Sequence, residues 1–92
     1  MKKINLNQYN RKSNLRIRKF NNEYYMLCSE KCYKINEIGA IIVKYIGRDT
    51  TIDDLSNSIM KLYKGCNEDE IIDDIKDFIN FLLNDELISL NG

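Results

Sequence analysis

The hydrophobic period of this chain changes once, at Asn36, and that change limits the folds open to it. Before it, "NLRIRKF" alternates Leu15 and Ile17 with Arg16 and Arg18, "EYYMLC" is rich in aromatic and apolar side chains, and "CYKI" follows a short turn, "SEK". Alternation at period two marks a half-buried strand, and Asn21 and Asn22 tolerate the positive φ that a tight hairpin requires. Three short strands joined by such turns make an antiparallel meander.

After Asn36 the spacing becomes helical. Ile38, Ile41, Ile42, Tyr45 and Ile46 share one face of a first helix, which Asn36 caps and Gly47 ends. Thr50 or Thr51 caps a second, striped by Ile52, Leu55, Ile59, Leu62 and Tyr63, with Asp53 and Asp54 in its positive first turn and Gly65 after it. Asn67 caps a third and longest, with Glu68, Asp69 and Glu70 at its start and Ile71, Ile75, Phe78, Ile79 and Leu82 facing inward. At 100° per residue, Asp73, Lys76, Asp77 and Asn80 face solvent. Phe81 falls among Asp74 and Asp77 rather than on the stripe, and Ile72 and Leu83 widen the other shoulder. Such residues either lie under neighbouring strands and loops or form a docking surface. "ELISLNG" closes the chain as a short strand or tail.

This order predicts an α+β, winged-helix-like domain: a three-stranded antiparallel β-sheet followed by three α-helices. Ninety-two residues suit one domain, which buries only about 60–65% of the surface its unfolded chain exposes. The expected division is a flexible N-terminal arm over 1–13, on which Ile4, Leu6 and Tyr9 are the residues able to touch the body, and a single domain over 14–92. No apolar run approaches the ~20 residues needed to span a bilayer. Lys2 and Lys3 are not followed by the apolar segment of a secretory signal, so a cytoplasmic location is expected.

The residues offer little to a catalyst. The chain has no His and three Cys; Cys28, Cys32 and Cys66 are read as small apolar side chains rather than metal ligands, and a Cys28–Cys32 disulfide is not expected in a reducing compartment. There is no Gly-rich phosphate loop and no nucleophile beside a base. Asp53–Asp54 and Asp73–Asp74 are sequence neighbours whose side chains diverge by about 100° on a helix. No enzyme activity, cofactor or metal is therefore expected.

Charge is distributed unevenly beneath a formal net charge of zero. Residues 1–48 carry eleven Lys and Arg against three Glu, or +8, and residues 49–92 carry three Lys against eleven Asp and Glu, or −8. A DNA-binding winged helix needs a basic recognition helix, whereas the third helix here has Lys76 among Asp73, Asp74 and Asp77. A winged-helix DNA-binding regulator that uses its basic strands and arm is the alternative function. A homodimer formed by edge-strand pairing is a third.

The run from "YKINEIGAIIVKYI" through "TTIDDLSNSI" to "DIKDFINFLLNDELI" resembles the PqqD-like family, the recognition elements for precursors of ribosomally made, modified peptides. The motif is mostly apolar, so its specificity lies in order and spacing. The resemblance implies a non-catalytic peptide chaperone. It would bind the leader of a precursor peptide as an added strand between the third strand and third helix, and deliver it to a modifying enzyme such as a radical-SAM enzyme or a leader peptidase/cyclase, in peptide or quinone-cofactor biosynthesis. The matching strand positions are Cys32, Tyr33, Lys34 and Ile35, and the matching helix positions run from 71 to 83. Glu86 stands where family members usually carry Gly.

The residues agree with such a role, since an exposed edge strand offers unpaired backbone groups and alternate side chains of an added strand give specificity. Ile72, Lys76, Ile79 and Leu83 form one candidate wall. Asp73 and Asp77 are candidate partners for a basic leader, and Lys31 and Lys34 for an acidic one. For each charged position a solvated face is the plain alternative.

Overall fold

The computed structural model describes residues 4–91; residues 1–3 of the expected arm and the terminal Gly92 lie outside the described residues. A 3₁₀ turn at Leu6–Gln8 precedes five strands and three helices: β1 Tyr9–Arg11, β2 Arg16–Phe20, β3 Glu23–Cys28, β4 Lys31–Ile35, α1 Glu37–Tyr45, α2 Ile52–Leu62, α3 Glu68–Asn84 and β5 Ile88–Leu90. β2, β3 and β4 form the expected antiparallel meander in that spatial order, and β1 pairs with β5 in a separate two-stranded ribbon.

Local chemistry explains the boundaries. Asn21 and Asn22 turn the β2–β3 hairpin at φ of 51° and 63°, the left-handed pair a two-residue turn requires. The side chain of Asn36 accepts from the Gly39 N–H at 2.7 Å, that of Thr51 from Asp54 at 3.0 Å, and that of Asn67 from Asp69 and Glu70 at 2.8 and 3.3 Å. Each satisfies donors that a helix start leaves without internal partners. At the other end of α3, Glu86 N–H bonds to Leu83 C=O and Leu87 N–H to Leu82 C=O, the Schellman pattern. Glu86 supplies its left-handed residue, at φ 59°. The helix end is thus built as a Gly would build it.

The core gathers Met26 and Cys28 from the sheet, Ile42, Val43 and Ile46 from α1, Ile52, Leu55 and Ile59 from α2, and Ile71, Ile75, Ile79 and Leu82 from α3. Two predicted stripes shift. On α1 the fully covered side chains are Ala40, Ile42 and Val43, while Ile38, Ile41 and Tyr45 are only half-buried. Nearly every residue from 38 to 46 is apolar, so spacing could not select the face that meets β3 and α3. On α2, Leu62 is 67% exposed because the helix stops there, and the next residue, Tyr63, turns extended and donates its hydroxyl to Glu37.

The larger difference is at the N-terminus. Leu6 is completely buried and Tyr9 nearly so. Leu6 N–H bonds to Thr50 C=O at 2.7 Å, Gly47 N–H to Leu6 C=O at 2.9 Å and Ile52 N–H to Ile4 C=O at 2.9 Å, so the segment runs along the α1–α2 connection. β1 then pairs Tyr9 with Leu90, Asn10 with Ser89 and Arg11 with Ile88. Over residues 4–11 the expected loose arm is part of the folded body, through the Ile4, Leu6 and Tyr9 contacts that were its apolar residues.

Candidate functional site

The hairpin geometry determines which backbone groups of β4 are free. A two-residue turn closes on a pair that exchanges both hydrogen bonds, so Phe20 and Glu23 bond to each other and β3 alternates from there. Glu23, Tyr25 and Leu27 then bond toward β2, and Tyr24, Met26 and Cys28 toward β4, where their partners are Ile35, Tyr33 and Lys31. Cys32 and Lys34 are left with N–H and C=O directed away from β3, at the edge of the sheet.

Beside that edge runs an open groove. One part, of about 480 Å³, is lined by Cys32, Tyr33, Lys34, Ile35, Asn36, Phe78 and Phe81. An adjoining part of about 410 Å³ shares Asn36, Phe78 and Phe81 and adds Ile38, Gly39, Ile42, Asp74 and Asp77. The Tyr33 ring meets Phe81 edge-on, with centroids 5.5 Å apart and planes at 85°, and Phe81 lies 5.9 Å from Phe78. The Tyr33 hydroxyl donates to Asp85 at 2.7 Å, which pushes the phenol above its ordinary pKa and ties β4 to the C-terminus of α3. A larger depression, about 580 Å³, adjoins the groove at Lys34, Ile35 and Asn36 and is lined otherwise by Lys19, Asn22, Glu23, Tyr24 and Glu37.

The predicted strand residues therefore border the groove, while the predicted helix wall does not. Ile79 is buried in the core. Ile72, Lys76 and Leu83 lie on the opposite shoulder of α3, and Asp73 faces solvent outside the groove. Of the helix positions singled out from sequence, Asp77 lines it. The residues missed are Asp74, Phe78 and Phe81. Phe81 was the visible signal, because a large aromatic residue off the core stripe needs a second surface to cover it, and that surface is Tyr33.

The two predicted lysines stand apart from this wall. Lys34 projects from the outer sheet face to Glu23 at 2.8 Å; this hydrogen-bonded pair raises the lysine pKa and lowers that of the carboxyl, to which the Tyr25 hydroxyl also donates at 2.9 Å. Lys31 sits at the far end, in a small depression with Lys12, Asp85 and Glu86. Cys28, Cys32 and Cys66 are all free thiols, Cys28 buried and the others exposed. Among the described residues no group of three His, Cys, Asp or Glu is placed to hold a metal, and no helix is long and apolar enough to cross a membrane.

An edge strand beside an aromatic helix face, on a three-strand, three-helix scaffold, defines a small α+β domain with an open groove along the edge of its sheet. The chain belongs to the family described as coenzyme PQQ synthesis protein D (PqqD), whose profile matches residues 23–88. Two solved structures share the fold. TbiB1 in complex with the TbiA(beta) leader peptide superposes with a TM-score of 0.70 at 15% identity, covering 90% of this chain and 98% of that one. The PqqD truncation of Methylobacterium extorquens PqqCD, described as a functional and stand-alone recognition element for ribosomally synthesised, modified peptides, gives 0.75 at 14% identity, covering 88% and 87%. No curated protein sequence matches.

Proposed function

We propose that this protein is a non-catalytic recognition element that captures the leader of a ribosomally made precursor peptide and passes it to a modifying enzyme. The observation that carries this reading is the free edge of β4 facing the open groove along Phe78 and Phe81. A leader added as a fourth strand pairs with the backbone of Cys32 and Lys34 and turns alternate side chains toward α3. Family membership supports the reading, as does the leader peptide named in the TbiB1 complex. Main-chain pairing supplies affinity and the groove supplies selection, so no catalytic group is required.

Proline provides the test. Cys32→Pro removes an N–H that β3 does not use, at an edge position where proline is tolerated, so the fold should survive while strand addition is blocked. A backbone amide NMR titration with the leader of a precursor encoded beside this protein should shift residues 31–36 and the groove side of α3, and Cys32→Pro should weaken binding at least tenfold with an otherwise native spectrum. Peptide binding untouched by the proline, or shifts at Arg16 and Arg18 with duplex DNA that fade as salt rises, would sink the reading.

A further inference from the structure

We propose that the groove selects a basic, apolar peptide, with a large apolar side chain seated on the aromatic wall that Tyr33, Phe81 and Phe78 form together and a Lys or Arg a few residues away, beside Asp74 and Asp77. The inference rests on the leader-capture reading and adds the chemistry of the segment captured.

The groove has a direction. Tyr33 meets Phe81, and Ile35 lies with Phe78 around Gly39, so β4 and α3 run past each other in opposite senses. The aromatic part is therefore beside Tyr33, and the carboxylates of Asp74 and Asp77 lie in the part beyond Asn36. A strand rises about 3.3 Å per residue, so side chains two apart on one face are separated by roughly 6.6 Å, close to the ~5.4 Å helical turn that separates successive groove residues on α3. An added strand that places an apolar residue against Phe81 thus brings the next one or two inward-facing positions to the acidic part.

Among the described residues the two carboxylates have no cation of their own. Both are exposed, and neither has an ion-pair or hydrogen-bond partner among the described residues. Lys34 is held by Glu23 on the outer sheet face, Lys31 lies at the other end by Asp85 and Glu86, and Lys76 projects from the far shoulder of α3. Like charges one turn apart on a helix repel. A cationic side chain that entered beside an apolar anchor relieves that repulsion in a setting drier than open surface, so it contributes more there than an exposed pair does. The sequence left basic and acidic leaders equally open; the placement of these two carboxylates and three lysines favours the basic one.

The test is a selection of displayed random 12-residue peptides against the whole protein, followed by calorimetric titration of the tightest synthetic peptides. The expected winners carry Lys or Arg within four residues of an aromatic or branched apolar residue. Asp74→Asn with Asp77→Asn should weaken them at least tenfold at low salt and less at high salt, whereas Asp54→Asn with Glu68→Gln, an equal charge change away from the groove, should not. Asp74→Lys with Asp77→Lys should bind the same peptides with Glu in place of the basic residue. Peptides that Cys32→Pro abolishes but that show no basic preference and ignore Asp74 and Asp77 overturn this inference alone. Binding that ignores Cys32→Pro, or no binding at all, overturns leader capture and the inference with it.

Discussion

Glu86 holds φ at 59°, a conformation that costs an L-residue roughly 1–2 kcal/mol relative to the right-handed one. Its place in the Schellman turn explains why the chain accepts that cost, since Leu87 is thereby brought into the core against Leu82. Glycine removes the strain but forfeits about 0.5–1 kcal/mol in unfolded-state entropy. Glu86→Gly is therefore expected to raise stability by up to about 1 kcal/mol, read as a shift in urea midpoint at unchanged slope. A second residue-scale effect depends on pH. The hydrogen bond from Tyr63 to Glu37, together with partial burial, pushes the phenol up to about 12. The folded pKa lies above the ordinary value near 10, so the stability this pair contributes is fully present below about pH 10 and is lost as pH rises toward 12. Stability of the wild type should fall more steeply across that window than that of Tyr63→Phe, and the phenolate absorbance of the variant should lack its latest-titrating component.

At the scale of elements, what could be read from the sequence was whatever a few adjacent residues decide. The Asn21–Asn22 turn and the caps at Asn36 and Asn67 are where the sequence put them, and of the two threonines it left open Thr51 is the cap, because such side chains bond to backbone within three positions. The face an element presents was harder. The nearly all-apolar α1 gives no contrast to read, and the two shoulders of α3 look alike until it is known that β4 lies along only one. Gly39 sits where these elements meet. A Cβ there would come within 3.2 Å of the Phe78 ring and 3.3 Å of the Asn36 side-chain oxygen. Alanine favours a helix over glycine by about 1 kcal/mol, and the Phe78 ring has open groove into which to yield. Gly39→Ala should accordingly leave stability within about 0.5 kcal/mol of wild type while narrowing the groove. Peptide affinity should fall several-fold, with amide shifts on α3 centred on Phe78. Unchanged affinity would mean the occupant does not reach this part of the groove.

At the scale of the whole molecule, the N-terminal segment decides how the two ends of the chain are held. The strands and helices from Arg16 to Asn84 form a scaffold that the family profile largely covers, whereas β1 lies outside the matched residues. Yet residues 4–6 bond along the α1–α2 connection, β1 pairs with β5, and Asn91 N–H bonds to Gln8 C=O at 2.8 Å. The segment thereby closes the core over Ile46 and Ile52 and ties the C-terminus in place. Its polar composition hid this, because Ile4, Leu6 and Tyr9 are too few to show a period, and their partners are distant in sequence. Leu6 tests the point. Truncating a fully buried leucine in a core costs about 2–5 kcal/mol, a large part of the total for a domain of this size, whereas a leucine on a loose arm costs about 0.5 kcal/mol or less. Leu6→Ala should lower the thermal midpoint by at least ~10 °C in a single cooperative transition. Peptide affinity, measured well below that midpoint, should stay near wild type, since Leu6 does not border the groove. A small shift would return residues 4–11 to the status of an appendage. A large shift accompanied by lost affinity would show instead that the segment sets the α1 position on which Asn36 and the groove depend.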